Sequence, residues 1–204
     1  MIRNILDGLG RIIIWFVVIS CIISGIFALS FYLNSSERLG SKVETAIGKK
    51  DFHQAHKYLK RIKTPEDYEL YADKLFNAEI GYLMNDNSVN SSDRIISLVA
   101  DYGSYGTPVV GVTNVKKVIK NNETYMMEVS KYNQMLDGVL SRAISMHNQY
   151  LAEKLLNMYK PTLRKSLSES HLFSKDEYNF EYSNEPQEKA EEIYRNAVEE
   201  KKFE

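Results

Sequence analysis

The sequence predicts an all-α protein in which a single N-terminal transmembrane helix is followed by a soluble domain of helical hairpins or a bundle. A charge-free apolar run extends from Ile12 to Leu33. Apolar residues then recur at helical spacing, and the chain contains only four prolines and ten glycines. We therefore predict four regions: a tail (1–11), a transmembrane signal-anchor (12–33), a helical domain (34–160) and a polar, acidic C-terminal segment with a terminal helix (161–204).

The composition limits the classes of partner. The formal net charge of −1 and the isoelectric point near 6.5 give no excess of positive charge for binding a polyanion, so we expect no nucleic-acid partner. The only cysteine, Cys21, lies inside the apolar run. The predicted soluble domain therefore has no thiol for a disulfide, a thiolate metal site or a cysteine nucleophile.

The run from Ile12 to Leu33 has the dimensions of a membrane span. As a helix it would rise roughly 33 Å, enough to cross a hydrocarbon core of ~30 Å. Trp15 and Tyr32 lie near its ends, where amphipathic rings favour the headgroup region. A cleaved signal peptide ending near Ser30 and a lipobox at residues 18–21 are alternatives, but apolar residues continue past both sites. A retained signal-anchor is favoured.

Small residues recur on one face of the predicted span. Ser20, Ser24 and Ala28 are four residues apart, and this pattern lets two helices approach closely in a membrane. We interpret them as a candidate helix-packing face; the alternative is that small residues are simply frequent in spans. Flanking charges favour a cytoplasmic N-terminus and an extracytoplasmic body, although Lys49 and Lys50 weaken that preference.

Two short amphipathic helices are predicted between residues 37 and 62. The corner between them, from Ala46 to Ala55, resembles the turn of a tetratricopeptide repeat over about half of one repeat unit, with Phe52 three residues before Ala55. The resemblance implies a helical hairpin. No second copy is clear, because Tyr150 and Ala152 are separated by a different spacing.

Capping residues predict the next helices. Thr64-Pro65 begins a helix that we expect to end near Met84, and a second helix runs from Ser91 or Ser92 to Gly103. A short extended piece is expected at Val109-Val110. One long helix is then predicted from about Asn122 to Lys160. Its packing seam consists of Tyr125, Val129, Tyr132, Leu136, Val139, Ala143, Met146 and Tyr150.

The C-terminal segment becomes acidic, with ten Asp or Glu against four Lys or Arg from Asp176 onward. Residues 185–198 fit a terminal helix. Tyr178, Phe180 and Tyr182 alternate as in a short strand or a docking motif.

The sequence contains no recognised catalytic motif. His53 and His56 share one predicted helix face, but no third ligand stands at a diagnostic position. The glycines from 103 to 111 lack the spacing of a phosphate-binding loop, and no serine lies in a nucleophile elbow. We therefore expect no catalytic residues, no metal site and no cofactor.

Tyrosine is abundant, with fourteen residues, and amphipathic rings suit both a core and a partner-binding groove. The sequence therefore favours a membrane-anchored interaction module, either an accessory subunit or a scaffold of a membrane-associated complex. An extracytoplasmic small-ligand sensor and a divergent membrane-bound enzyme are the alternatives. The candidate interaction residues are Phe52, Tyr58, Tyr71, Tyr82 and Tyr132.

Overall fold

The computed structural model describes residues 15, 17–26, 35–103, 106–167, 177–200 and 202–203. This part of the chain is mostly helical, which confirms the predicted helical class. Residues 17–26 are the described part of α1. The elements that follow are α2 (Ser36–Gly48), α3 (Phe52–Leu59), α4 (Pro65–Leu83), α5 (Val89–Tyr102), β1 (Gly111–Thr113), α6 (Lys116–Ser145), α7 (Gln149–Leu156), β2 (Thr162–Leu167), β3 (Tyr178–Ser183) and α8 (Glu185–Glu199).

The chain divides into two compact units, and the boundary falls inside α4, between Glu79 and Ile80. The boundary predicted at residue 160 therefore lies inside the second unit. In the first unit, α2 and α3 form the predicted hairpin and α4 begins at Pro65, as predicted. Its buried core consists of Leu39, Val43, Ala46, Ala55, Leu59, Ile62 and Leu75.

The second unit is built around α6, whose seam is buried from Val129 to Ala143. The helix packs against α7, β2 and α8, so the seam is covered by its own chain. Met146 and Tyr150 are exposed and do not continue the seam. Both residues lie beyond the end of α6. The single long helix predicted from Asn122 to Lys160 is therefore wrong, because two helices, α6 and α7, occupy that range.

The break between α6 and α7 is a left-handed turn. His147 has φ 57°, the amide of Asn148 donates to the Ala143 carbonyl at 2.9 Å, and the Asn148 side chain accepts from the Leu151 amide at 3.0 Å. These bonds satisfy carbonyls at the end of α6 and amides at the start of α7. The chain therefore turns sharply without a glycine or a proline.

The same turn occurs in the first unit. Lys50 has φ 58°, the Asp51 amide donates to Ala46 at 3.0 Å, and the Asp51 carboxylate accepts from the Gln54 amide at 3.1 Å. In both corners, a buried alanine precedes the left-handed residue by four positions and another follows it by five. The corner between α6 and α7 therefore repeats the backbone geometry of the corner between α2 and α3, whose residues resemble a tetratricopeptide repeat. The spacing of the aromatic residues differs between the two corners.

A small sheet joins the helices of the second unit. Its strand order is β1-β3-β2 and both pairings are antiparallel, with Gly111 opposite Phe180 and Leu163 opposite Tyr182. The all-α prediction did not include this sheet. Phe180 and Leu163 are buried, so the sheet contributes one apolar face to the unit.

Candidate interaction surfaces

The described part of α1 is uncharged and mostly apolar. Residues 17–26 carry no charge, and their large aliphatic side chains are exposed. Within the described residues, no helix is both long and apolar enough to cross a membrane. The predicted span 12–33 includes residues outside the described ranges. Of the small-residue face, Ser20 and Ser24 are exposed, and Ala28 lies outside the described residues.

Three of the candidate aromatic residues pack against one core in the first unit. Phe52, Tyr58 and Tyr71 are half-buried and pack against the core shared by α2, α3 and α4. Each side chain is therefore partly packed against the core and partly accessible. This arrangement suits an interaction surface, because a partly packed ring loses little conformational entropy when a partner covers it. We call these three residues the aromatic surface.

Cations lie beside two of these rings. The Lys42 ammonium group is 5.4 Å from the centre of the Tyr58 ring, and that of Lys74 is 5.3 Å from the Tyr71 ring. Lys74 also forms a 2.5 Å ion pair with Glu44. The hydrogen bond to Glu44 raises the pKa of Lys74. Lys74 therefore remains charged beside the Tyr71 ring at neutral pH.

The other two candidate aromatic residues lie in the second unit. Tyr82 is 48 % exposed, near the end of α4, and its side chain is accessible. Tyr132 is 1 % exposed and is a core residue. A Cβ atom added to Gly103 would lie 2.6 Å from the Tyr132 ring, which shows how closely that backbone approaches it. Tyr132 is therefore unavailable to a partner while the unit is folded.

A histidine and a buried glutamate form a pair that the sequence analysis missed. His56 Nε2 lies 2.6 Å from a carboxylate oxygen of Glu79, which is almost completely buried, whereas the His56 side chain is 34 % exposed. His53, which was predicted to share a face with His56, is exposed. Glu79 could have been identified from the sequence, because helical spacing places it on the same face of α4 as Leu75 and Phe76, which are buried.

Within the part of the chain that the structure describes, the His56–Glu79 pair has no third ligand of the kind a metal site needs. Among the described residues, no group of three or more His, Cys, Asp or Glu side chains is placed to hold a metal ion. The pair has a direct structural role, because a buried carboxylate is stabilised by a charged or hydrogen-bonding partner.

In the second unit, α6 holds two extended segments through buried asparagines. Asn122 donates to the Val109 carbonyl at 2.6 Å and accepts from the Val109 amide at 3.0 Å. Asn133 makes the same pair of bonds with Lys160, at 2.8 and 3.0 Å. A side-chain amide presents a donor and an acceptor together, as a neighbouring strand does. The two asparagines therefore fix the backbone on either side of the helix.

Two tyrosine hydroxyls make further hydrogen bonds in the second unit. The Tyr159 hydroxyl donates to Asp137 at 2.7 Å, and burial, reinforced by that hydrogen bond, raises the pKa of Tyr159 strongly. On the outer side, the Tyr194 hydroxyl of α8 donates to Glu153 at 2.8 Å. Hydrogen bonds from Gln149 and Tyr194 lower the pKa of Glu153. The acidic terminal helix is thus attached to α7.

Comparisons with protein-family models, with curated proteins and with solved structures found no match to the chain. The assignment of function therefore depends on the residues and geometry described above.

Proposed function

We propose that this chain is a single-pass membrane-anchored helical interaction module, which serves as an accessory subunit or scaffold of a membrane-associated complex. Residues 12–33 anchor it in the bilayer. The body lies on the extracytoplasmic side and presents the aromatic surface to a protein partner. The observation that carries the proposal is the combination of a charge-free apolar segment with a helical body that exposes half-buried aromatic rings.

The apolar segment supports the anchor. Val17, Ile19, Ile22, Ile23 and Ile26 are each between 48 and 63 % exposed in the helical residues 17–26. Burying such a side chain is worth about 1.5–3 kcal/mol, so exposure of the whole series to water is costly. A bilayer removes that cost on all sides of the helix at once, whereas a soluble partner would cover one face.

The aromatic surface supports the interaction role. Tyr58 and Tyr71 each combine an apolar ring with a hydroxyl and a neighbouring lysine, and such residues are enriched at the energetic centres of interfaces. A partner that places acidic groups near Lys42 and apolar groups on the rings would complement this surface. Ser20, Ser24 and Ala28 would provide a second contact, within the membrane.

Cross-linking followed by mass spectrometry in the native membrane tests the interaction role. Tyr58→Ala and Tyr71→Ala are expected to reduce cross-links from the first unit to a partner by about tenfold or more, as truncating a binding hot spot does. Tyr68→Ala is the matched control, because Tyr68 is an exposed tyrosine on α4 outside the aromatic surface.

Far-ultraviolet circular dichroism of each variant separates lost binding from lost folding. The interaction role is wrong if folded Tyr58→Ala and Tyr71→Ala variants retain the same cross-linked partners as Tyr68→Ala. Loss of cross-links in all three variants would also contradict a role specific to the aromatic surface.

A further inference from the structure

An exposed aliphatic loop precedes α6 in the second unit. Four valines within seven residues are more than two-fifths exposed: Val109 at 51 %, Val110 at 45 %, Val112 at 61 % and Val115 at 53 %. We call these residues the valine loop. Isolated exposed aliphatic residues are normal on protein surfaces, but four exposed valines within seven residues of the chain indicate a surface that something covers.

The valine loop is held in a fixed conformation. Asn122 binds both backbone groups of Val109, and β1 pairs with β3 through Gly111, Val112 and Thr113. Exposure of the valines is therefore a property of an ordered surface. A surface that is already ordered loses little entropy when it binds.

Positive charge follows directly on the valine loop. Lys116, Lys117 and Lys120 are exposed in the first turns of α6, and residues 106–121 contain no acidic side chain. Within the described chain, these three ammonium groups form no ion pair. The nearest acid along the helix, Glu123, is paired with Lys165 at 3.1 Å. On the neighbouring sheet face, Glu181 stands opposite Arg164.

We propose that the valine loop and the three lysines form a second membrane contact, which lays the second unit against a bilayer that contains anionic lipid. The valines enter the boundary between headgroups and acyl chains, and the lysines contact lipid phosphates. Aliphatic residues bordered by exposed lysines are the chemistry that such a surface recognises. The inference rests on the proposed anchor, because the anchor keeps the loop near the lipid and makes a weak contact sufficient.

The test uses the full chain, reconstituted in phosphatidylcholine nanodiscs with or without phosphatidylglycerol. On a Cys21→Ser background, an environment-sensitive fluorophore is attached to Val112→Cys or, as the matched control, to Val198→Cys. Val198 is an exposed valine on the acidic helix α8. Quenching by lipids that carry a quencher in the acyl chain reports contact with the bilayer.

We expect the probe at residue 112 to be quenched several-fold more than the probe at residue 198 in anionic discs, and the difference to shrink at high salt. Each lysine near an anionic surface strengthens binding about fivefold, so replacing all three by glutamine weakens the contact roughly a hundredfold. The probe at residue 112 should then match the control. Lys189→Gln, which alters an exposed lysine on α8, should have no effect.

Equal quenching at residues 112 and 198 would overturn the proposal. So would a blue-shifted probe at residue 112 that lipid does not quench, because the loop would then be covered by protein, for example by a strand added to the edge of β1. If the chain elutes apart from the discs, the anchor is wrong instead. Quenching of residue 112 by added anionic vesicles then decides the lipid contact separately.

Discussion

At the scale of single residues, the most informative positions are those where an ionisable side chain is buried. Glu79 is an acidic residue on the buried face of α4, and His56 lies 2.6 Å from its carboxyl group. Capping residues predicted the start of α4 and apolar periodicity predicted its buried face, but a periodicity based on apolar residues does not include an acid on the same face. The partner of such an acid depends on how α3 packs against α4. The residues close to the acid in the sequence do not indicate that packing.

Gly40 illustrates a second residue-scale constraint and gives a direct prediction. A Cβ atom at this position would lie 2.0 Å from Cζ of Tyr71, so Gly40→Ala must displace the ring. We expect a loss of about 1–3 kcal/mol in the free energy of unfolding, the usual cost of overpacking. Chemical denaturation of the full chain in mild detergent measures it.

Gly48→Ala is the matched control, because no atom lies within 4 Å of its added Cβ. That change should raise the stability by about 0.5–1 kcal/mol, since alanine restricts the unfolded chain and favours a helix. A Gly40→Ala variant as stable as Gly48→Ala would show that Tyr71 is not packed against α2.

At the scale of elements, local signals predicted the structure wherever capping residues marked an end. Thr64-Pro65 and Gly103 gave a start and a stop that the structure confirms. The end of α6 was missed because its left-handed residue is His147, and Ser145 to Asn148 contains neither glycine nor proline. The strand β2 was not predicted, because its stability depends on pairing with β3. The two strands are separated in the sequence, and no local pattern indicates that they pair.

The two corners give a prediction at this scale. Asp51→Ala removes one N-cap and should cost about 1 kcal/mol. Asn148→Ala removes an N-cap and also the hydrogen bond that Asn148 donates to Ser92 at 3.0 Å, so it should cost about 2 kcal/mol or more. Unfolding free energies of the two variants test this order.

The conservative substitution supplies the control. Asp51→Asn retains a side-chain oxygen for the Gln54 amide and should stay within a few tenths of a kcal/mol of the wild-type stability. An Asn148→Ala variant that is no less stable than Asp51→Ala would show that the hydrogen bond from Asn148 to Ser92 adds nothing to the stability.

At the scale of the whole molecule, the sequence predicted a helical body but not its division inside α4 or its small sheet. The two units also differ chemically. Burial raises the pKa of Tyr132 and Tyr159, which both lie in the core of the second unit. A buried tyrosine must remain protonated, because its anion would be poorly solvated.

This difference predicts a loss of stability at alkaline pH. The folded-state pKa of Tyr159 is raised, so the folded chain retains its proton when the unfolded chain loses it, above about pH 10. The stabilising contribution is therefore complete below pH 10 and declines as the pH rises, by at most about 1.4 kcal/mol per pH unit for one tyrosine.

Tyr159→Phe should reduce the slope of stability against pH between about pH 10 and 11, although it loses the hydrogen bond to Asp137 at neutral pH. Denaturation curves at a series of pH values check both effects. An unchanged alkaline slope in Tyr159→Phe would show that this residue does not titrate on unfolding.

The proposed membrane anchor determines where the whole molecule would lie, and extraction of native membranes with alkaline carbonate tests this proposal most directly. The full chain should remain in the membrane pellet, because a spanning helix is held by its apolar contacts and not by charge. A variant with Ile19→Lys and Ile23→Lys should be released, since each lysine costs about 2.5–3.5 kcal/mol at the centre of a span. Val198→Lys, which alters an exposed valine on α8, should stay in the pellet. Release of the unaltered chain by carbonate would contradict the membrane anchor.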